Sequence, residues 1–316
     1  MAKTKEISRR IKSVSSTKKI TKAMEMVAAA KMRRAIEAVL KTRTYANLSW
    51  ETVLHLAALA EKKEEIRHPL LSPHAEVKKV AIILITSNRG MCGGYNSAII
   101  AKAESSVKKH KVDTDFIITG RKGVILATRG YEIAAEFEKT DILSDSREIT
   151  PLVKLAIDGF MSGKYDKVFV AYTDFVNPAK QVPRVKQILP VQIDEEDEYL
   201  GIVGEGSPVA LTPEMIKDKE KKHLGINGAT FEYIFEPNSR TVLDVMVPRL
   251  IETQVYQAYL EANASEHSAR MTAMHQATDA ANDMVEELTL FYNKARQAGI
   301  TAEIAEISAG ANALAE

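Results

Sequence analysis

The chain reads as an α/β protein in which a long antiparallel coiled coil, built from the two ends, holds a central domain of alternating strands and helices. Three observations predict this. Neither glycine nor proline occurs from Ala2 to His68 or from Arg249 to Ala298, so nothing in either stretch forces a helix to stop. In the second stretch, small and apolar residues fall at Met271, Met274, Thr278, Ala281, Val285, Leu288, Tyr292 and Ala295. Steps of three and four alternate there without a slip, the heptad spacing of a helix lying along another helix. Between the two stretches the pattern changes to short β-branched runs.

The N-terminal stretch carries Ile7, Ile11 and Val14, then Ile20, Met24 and Val27, followed by Ala28, Ala29 and Ala30. Each group has helical spacing, and the six-residue step between Val14 and Ile20 predicts a seam that shifts partway along. At about 1.5 Å per residue, the run from Arg249 to Ala298 would make a rod of roughly 75 Å. Narrow apolar stripes of this kind are unstable alone in water. Pairing the two terminal helices antiparallel buries both stripes; an ordinary bundle is the alternative, but bundles rarely need helices this long.

In the middle, Lys79 to Ile85 is a β-branched run suited to a strand buried on both faces. A glycine-rich turn, Ser87 to Asn96, and a helical stretch, Ser97 to His110, follow. Asp115 to Gly120 reads as a second strand, Leu152 to Met161 as a helix, Lys167 to Tyr172 as a third strand and Val185 to Ile193 as a fourth. This alternation predicts a small, parallel-leaning sheet with helices on both faces. The acidic, glycine-spotted segment 194–228 reads as a surface insertion or flexible loop. The expected boundaries are 1–68 for the first helix, 76–235 for the central domain and 238–316 for the last helix.

Composition narrows the function. Apolar residues make up 45% and charged residues 27%, as in ordinary soluble domains, and no run is long and apolar enough to span a bilayer. The charged, h-region-free start predicts a chain that stays in the compartment where it is made. One cysteine, Cys92, excludes an internal disulfide and a multi-cysteine metal site. No metal is expected, because His267 and His275 have no carboxylate at ligand spacing. The net charge of +1 hides an asymmetry: the first 43 residues hold thirteen Lys or Arg against three acids. Such a basic helix suits nucleic acid, an anionic membrane or an acidic protein partner. It has no aromatic residue before Tyr45 on which bases could stack.

Three features carry residue types that chemistry could use. Gly90, Gly93 and Gly94 follow a strand and precede a helix, but G-x-x-G-G is neither a dinucleotide fingerprint nor a P-loop. They read as a structural turn. Cys92, near the same helix start, lacks a neighbouring base and reads as a packed thiol. Ser265, Glu266, His267 and Ser268 are triad residue types, yet on one helix they point to successive azimuths and cannot converge. No catalytic constellation emerges, and no cofactor is expected.

Three motifs together resemble one family, the gamma subunit of F-type ATP synthases. They are Ile20 to Met32, Ser87 to Asn96, and the C-terminal set Ala264 to Met271, Asn293 to Ala298 and Glu303 to Ile307. The family usually has Asp at Asn88, Leu at Met91 and often Leu at Tyr95. The resemblance implies a rotor shaft of two terminal helices inside a hexameric head of alpha and beta subunits. It also implies a Rossmann-like foot that binds no nucleotide and contacts the epsilon subunit and the membrane c-ring. Proton flow would turn the ring and shaft, and the shaft would drive each catalytic beta subunit through its states. Met24, Arg270, Arg296, Gln297, Thr301 and Glu303 are implied to lie against beta, and Tyr233 and Glu236 to face epsilon and the c-ring; coiled-coil core is an equal reading for Met24. The implied location is peripheral, on the cytoplasmic face of a bacterial plasma membrane, touching the membrane only through partner subunits and binding no nucleic acid.

Overall fold

The computed structural model describes residues 2–62, 68–72, 74, 76–110, 112–141, 145–191, 236 and 238–315. In chain order the elements are α1 (Ala2–Lys62), β1 (Lys79–Ile85), α2 (Tyr95–His110), β2 (Asp113–Thr119), the single turn α3 (Ile125–Thr128), β3 (Glu132–Phe137), α4 (Thr150–Met161), β4 (Lys167–Asn177), β5 (Lys180–Leu189) and α5 (Ser239–Ala315). None of the described helices is long and apolar enough to cross a membrane. The chain divides into two compact units, Met1–Ala29 with Arg270–Glu316, and Ala30–Ala269.

In the first unit α1 and α5 pair antiparallel. Thr21 and Thr278 share a hydrogen bond of 2.8 Å, and Glu25 meets His275 at 3.3 Å. The predicted seam of α5 is the face turned inward: Met274, Thr278 and Ala281 are buried, with Met271, Val285, Leu288, Tyr292 and Ala295 half-buried. On α1 the expected shift of the seam does not occur. Ile20 is 60% exposed and Val27 55% exposed, whereas Thr21 is half-buried and Ala28 is buried. Ile7, Ile11, Val14, Thr21 and Ala28 therefore keep one heptad register. A threonine holds the seam where the nearest apolar residue suggested a slip, because its hydroxyl finds a partner on the opposite helix.

In the second unit a five-stranded sheet runs β3-β2-β1-β4-β5. β1 pairs in parallel with both β2 and β4, β2 in parallel with β3, and β4 antiparallel with β5. Alternation along β1 explains the helices on both faces. Val80, Ile82 and Leu84 pack with Ile99, Ile100 and Ala103 of α2. Ala81, Ile83 and Ile85 point the other way, into a core with Val153, Ala156 and Phe160 of α4 and Val247, Ile251, Val255 and Ala258 of α5. Here too α1 and α5 run antiparallel: Thr42 donates to Gln257 at 2.8 Å and Gln254 to the Ala46 carbonyl at 2.9 Å.

Three strands differ from expectation. β3 was not anticipated, because Glu132-Ile133-Ala134-Ala135-Glu136-Phe137 has low strand propensity and lies on an edge, with every second residue exposed. β4 runs on past Tyr172 to Asn177, and β5 spans Lys180–Leu189 rather than Val185 to Ile193, so that the two form a hairpin. Its turn is set by Asn177, whose Oδ1 accepts the backbone N–H groups of Ala179 and Lys180 at 2.9 and 2.8 Å. The predicted loop 194–228 lies outside the described residues. α5 starts with Asn238 accepting from the Thr241 N–H at 2.9 Å, then continues through Pro248 and Gly299.

Candidate functional site

The turn after β1 is tied by side chains. Asn96, on the first turn of α2, accepts the Ser87 N–H at 3.0 Å and donates to Ser87 Oγ at 2.7 Å and to Cys92 Sγ at 3.2 Å. Cys92 is buried within this knot. Left-handed backbone falls on Met91 and Gly93, at φ 60° and 55°. A Cβ on Gly90 would meet nothing within 4 Å, and one on Gly94 only Ser97 Oγ at 3.8 Å. The close backbone approach lies elsewhere, at Gly120, where φ is +93° and a Cβ would sit 2.4 Å from the Thr86 carbonyl oxygen.

The same turn reaches α5 through a residue that the sequence did not single out. Asn88 Nδ2 donates to the Lys139 carbonyl at 2.6 Å, and the Lys139 N–H donates back to Asn88 Oδ1 at 3.3 Å. Held by its backbone, Lys139 places Nζ 2.7 Å from Glu266 Oε2, with both side chains at most 4% exposed. The ammonium also lies 5.5 and 5.8 Å from the ring centres of Tyr95 and Tyr259. Next along, Thr140 donates its N–H to Tyr259 Oη at 2.7 Å and accepts from Asn263 Nδ2 at 3.2 Å. Burial pushes the Tyr259 phenol well above its ordinary range. Asp141 pairs with Lys31 of α1 at 2.5 Å.

Ser265 to Ser268 take up these partners one by one. Ser265 Oγ donates to the Thr173 carbonyl at 2.9 Å, Glu266 meets Lys139, and His267 Nε2 lies 3.3 Å from the Asp141 carbonyl oxygen. Ser268 Oγ donates to the Pro178 carbonyl at 2.9 Å. Successive residues of a helix turn by about 100°, so these four grip α5 from around its circumference. The segment following β3 holds one side and the β4–β5 hairpin the other. All four are buried. The sequence showed the polar run itself, but these partners lie 90–127 positions away.

The residues implied to lie against beta fall in the first unit. Met24 and Arg270 are half-buried, and Arg296, Gln297, Thr301 and Glu303 are exposed. Thr301 Oγ1 donates to the Gln297 carbonyl at 3.0 Å. These six are not gathered into one cluster: Arg270 and Arg296 stand roughly 39 Å apart along the helix at its regular rise. With Thr21 opposite Thr278, Ala2 falls opposite about Gln297. Further along α5, Ile300, Ile304 and Ile307 are exposed. Glu236 is exposed, and Tyr233 lies outside the described residues. Among the described residues no cluster of His, Cys, Asp or Glu could hold a metal ion.

Comparison with known proteins covers the whole chain. A family model described as "ATP synthase" matches residues 3–314. An ATP synthase gamma chain of Dehalococcoides mccartyi (strain CBDB1) is 43% identical over 316 residues, covering 100% of each chain. One from Legionella pneumophila (strain Corby) is 38% identical over 318 residues, covering 99% of this chain and 100% of the relative. Among solved structures, a chain of the Euglena gracilis mitochondrial ATP synthase (OSCP/F1/c-ring, rotational state 3) superposes with a TM-score of 0.63 at 18% identity, covering 99% of this chain and 95% of that one. A chain of the Tetrahymena thermophila mitochondrial ATP synthase central stalk and c-ring gives 0.56 at 21%, covering 82% and 99%. At those identities the likeness speaks for the fold.

Proposed function

The chain belongs to the ATP synthase gamma chain family, and on that premise we propose that it is the central stalk of an F-type ATP synthase. It carries torque between a membrane c-ring and catalytic beta subunits and has no catalytic site of its own. The full-length match to curated gamma chains carries this reading, and the paired terminal helices give it a physical form. The last turns of α5 present Ile300, Ile304 and Ile307 outward. That is an ending suited to a sleeve of other subunits. The alpha and beta subunits form that sleeve. Met24 and Arg270 meet beta at one level and Arg296, Gln297, Thr301 and Glu303 at another. The excess of cations on α1 draws acidic surfaces of the head over about a Debye length and lets go at each step. Tyr233 and Glu236 belong to the foot that meets epsilon and the c-ring. The protein sits peripherally on the cytoplasmic face of a bacterial plasma membrane, held there by partner subunits.

The test is assembly. Mixed with the alpha and beta subunits of its own source and passed over a size-exclusion column, one copy is expected to elute with three of each. A chain that elutes alone with its helices intact overturns the reading. In the assembled enzyme, Met24→Lys is expected to lower ion pumping per ATP hydrolysed without preventing assembly; unchanged coupling would remove Met24 from the contact set.

A further inference from the structure

We propose that the buried Lys139–Glu266 pair, with Asn88 as its clamp, is the torsional key of the protein: it fixes the sheet body in rotation about α5, so that turning one turns the other. This rests on the shaft reading above and deepens it by naming the residues through which torque passes.

The apolar contact of α5 with the sheet, through Val247, Ile251, Val255 and Ala258, keeps that face of the helix inward, but burial is itself non-directional and leaves small shear shifts open. Hydrogen bonds weaken steeply with misalignment, so polar contacts off the helix axis add the stiffness against small twists that burial lacks. Ser265, Glu266, His267 and Ser268 supply them at successive azimuths within one turn. Of these the Lys139–Glu266 bond is charge-assisted and buried on both sides, hence the stiffest. Stability alone does not explain it, because an apolar pair of similar volume is commonly as stable as a buried ion pair or more so. Asn88 fixes the Lys139 backbone in both directions, so the lysine is a strut anchored in the β1–α2 turn rather than a free arm. Asn88 and Lys139 are positioning residues; they act through Glu266.

The experiment uses the assembled complex with the head immobilised and a bead on the foot. Angular spread of the bead in the stalled enzyme is recorded together with ATP hydrolysis and the thermal midpoint of the chain. For Lys139→Met with Glu266→Leu, the midpoint and hydrolysis are expected to stay near wild type while the spread widens by about twofold, as directional bonds give way to sliding contact. Asn88→Ala, which leaves both charges in place, is expected to widen it in the same direction and serves if the double variant does not fold. An unchanged spread in either folded variant overturns the proposal while bead rotation still upholds the shaft. If the wild-type chain itself enters no complex, the shaft reading fails instead.

Discussion

Thr21 and Thr278 join hydroxyl to hydroxyl across the two terminal helices at 2.8 Å, in the middle of an otherwise apolar seam. Each also bonds within its own helix, Thr21 to the Lys18 carbonyl and Thr278 to the Met274 carbonyl. Replacing one by valine leaves the other with a poorer partner and is expected to cost about 1 kcal/mol, whereas the double valine should be near neutral. The thermal midpoints of the four members of this cycle measure the coupling. Strict additivity would mean that the hydroxyl pair does not set the register.

Lys139 and Glu266 should behave differently alone and together. Lys139→Met leaves a buried carboxylate without its cation and is expected to destabilise the chain by about 3–5 kcal/mol. Adding Glu266→Leu should recover most of that loss. Denaturant unfolding of the three variants decides it: a single variant as stable as the double would show that water reaches the pair.

His68 ties the start of the sheet body to α5. It is buried, its Nδ1 accepts the Leu70 N–H at 3.2 Å, and Nε2 meets Asp244 at 3.1 Å. Burial is the largest influence and lowers its pKa from 6.5; nearby Arg240 pushes the same way, while Asp244 opposes. The unfolded chain therefore takes up the proton first. The contribution of His68 to stability is complete above 6.5 and is lost as pH falls through the lowered folded value. Relative to His68→Gln, the wild type should lose stability more steeply on the acid side of 6.5. Parallel urea midpoints across that range would refute this.

Two glycines make opposite predictions. Gly120→Ala drives a Cβ into the Thr86 carbonyl at a positive φ and should cost roughly 3 kcal/mol or more through strain and collision. Gly90→Ala opens onto empty space and should stay within about 0.5 kcal/mol of wild type. Thermal melts of the two separate a glycine required by its neighbours from one that merely sits in a turn.

How much of this was legible depends on how far each signal reaches along the chain. β1 announced itself because burial on both faces demands an unbroken apolar run, and the α5 seam because heptad spacing repeats over many turns. The α1 seam was misplaced at Ile20, since a threonine can hold a core position once its hydroxyl has a partner opposite. β3 stayed hidden because an edge strand with alternate residues in water needs no strong propensity. The grip on α5 was the least visible: Glu266 was noticed as a residue type, but Lys139, 127 positions away, carries no local mark of its role.

The strand order has one more consequence. In open α/β sheets, ligands settle in the crevice beyond the carboxyl ends of the strands, where the order reverses. In this sheet that reversal lies between β1 and β4, which neighbour each other at the centre. The residues just past their carboxyl ends, Asn88 and Pro178, belong to the grip on Ser265 to Ser268. The chain has made a resident of its own helix in the place where such sheets receive guests. A small molecule settling there would meet Glu266 and Lys139 already paired, so the place where such sheets take up a ligand is filled by the chain's own helix.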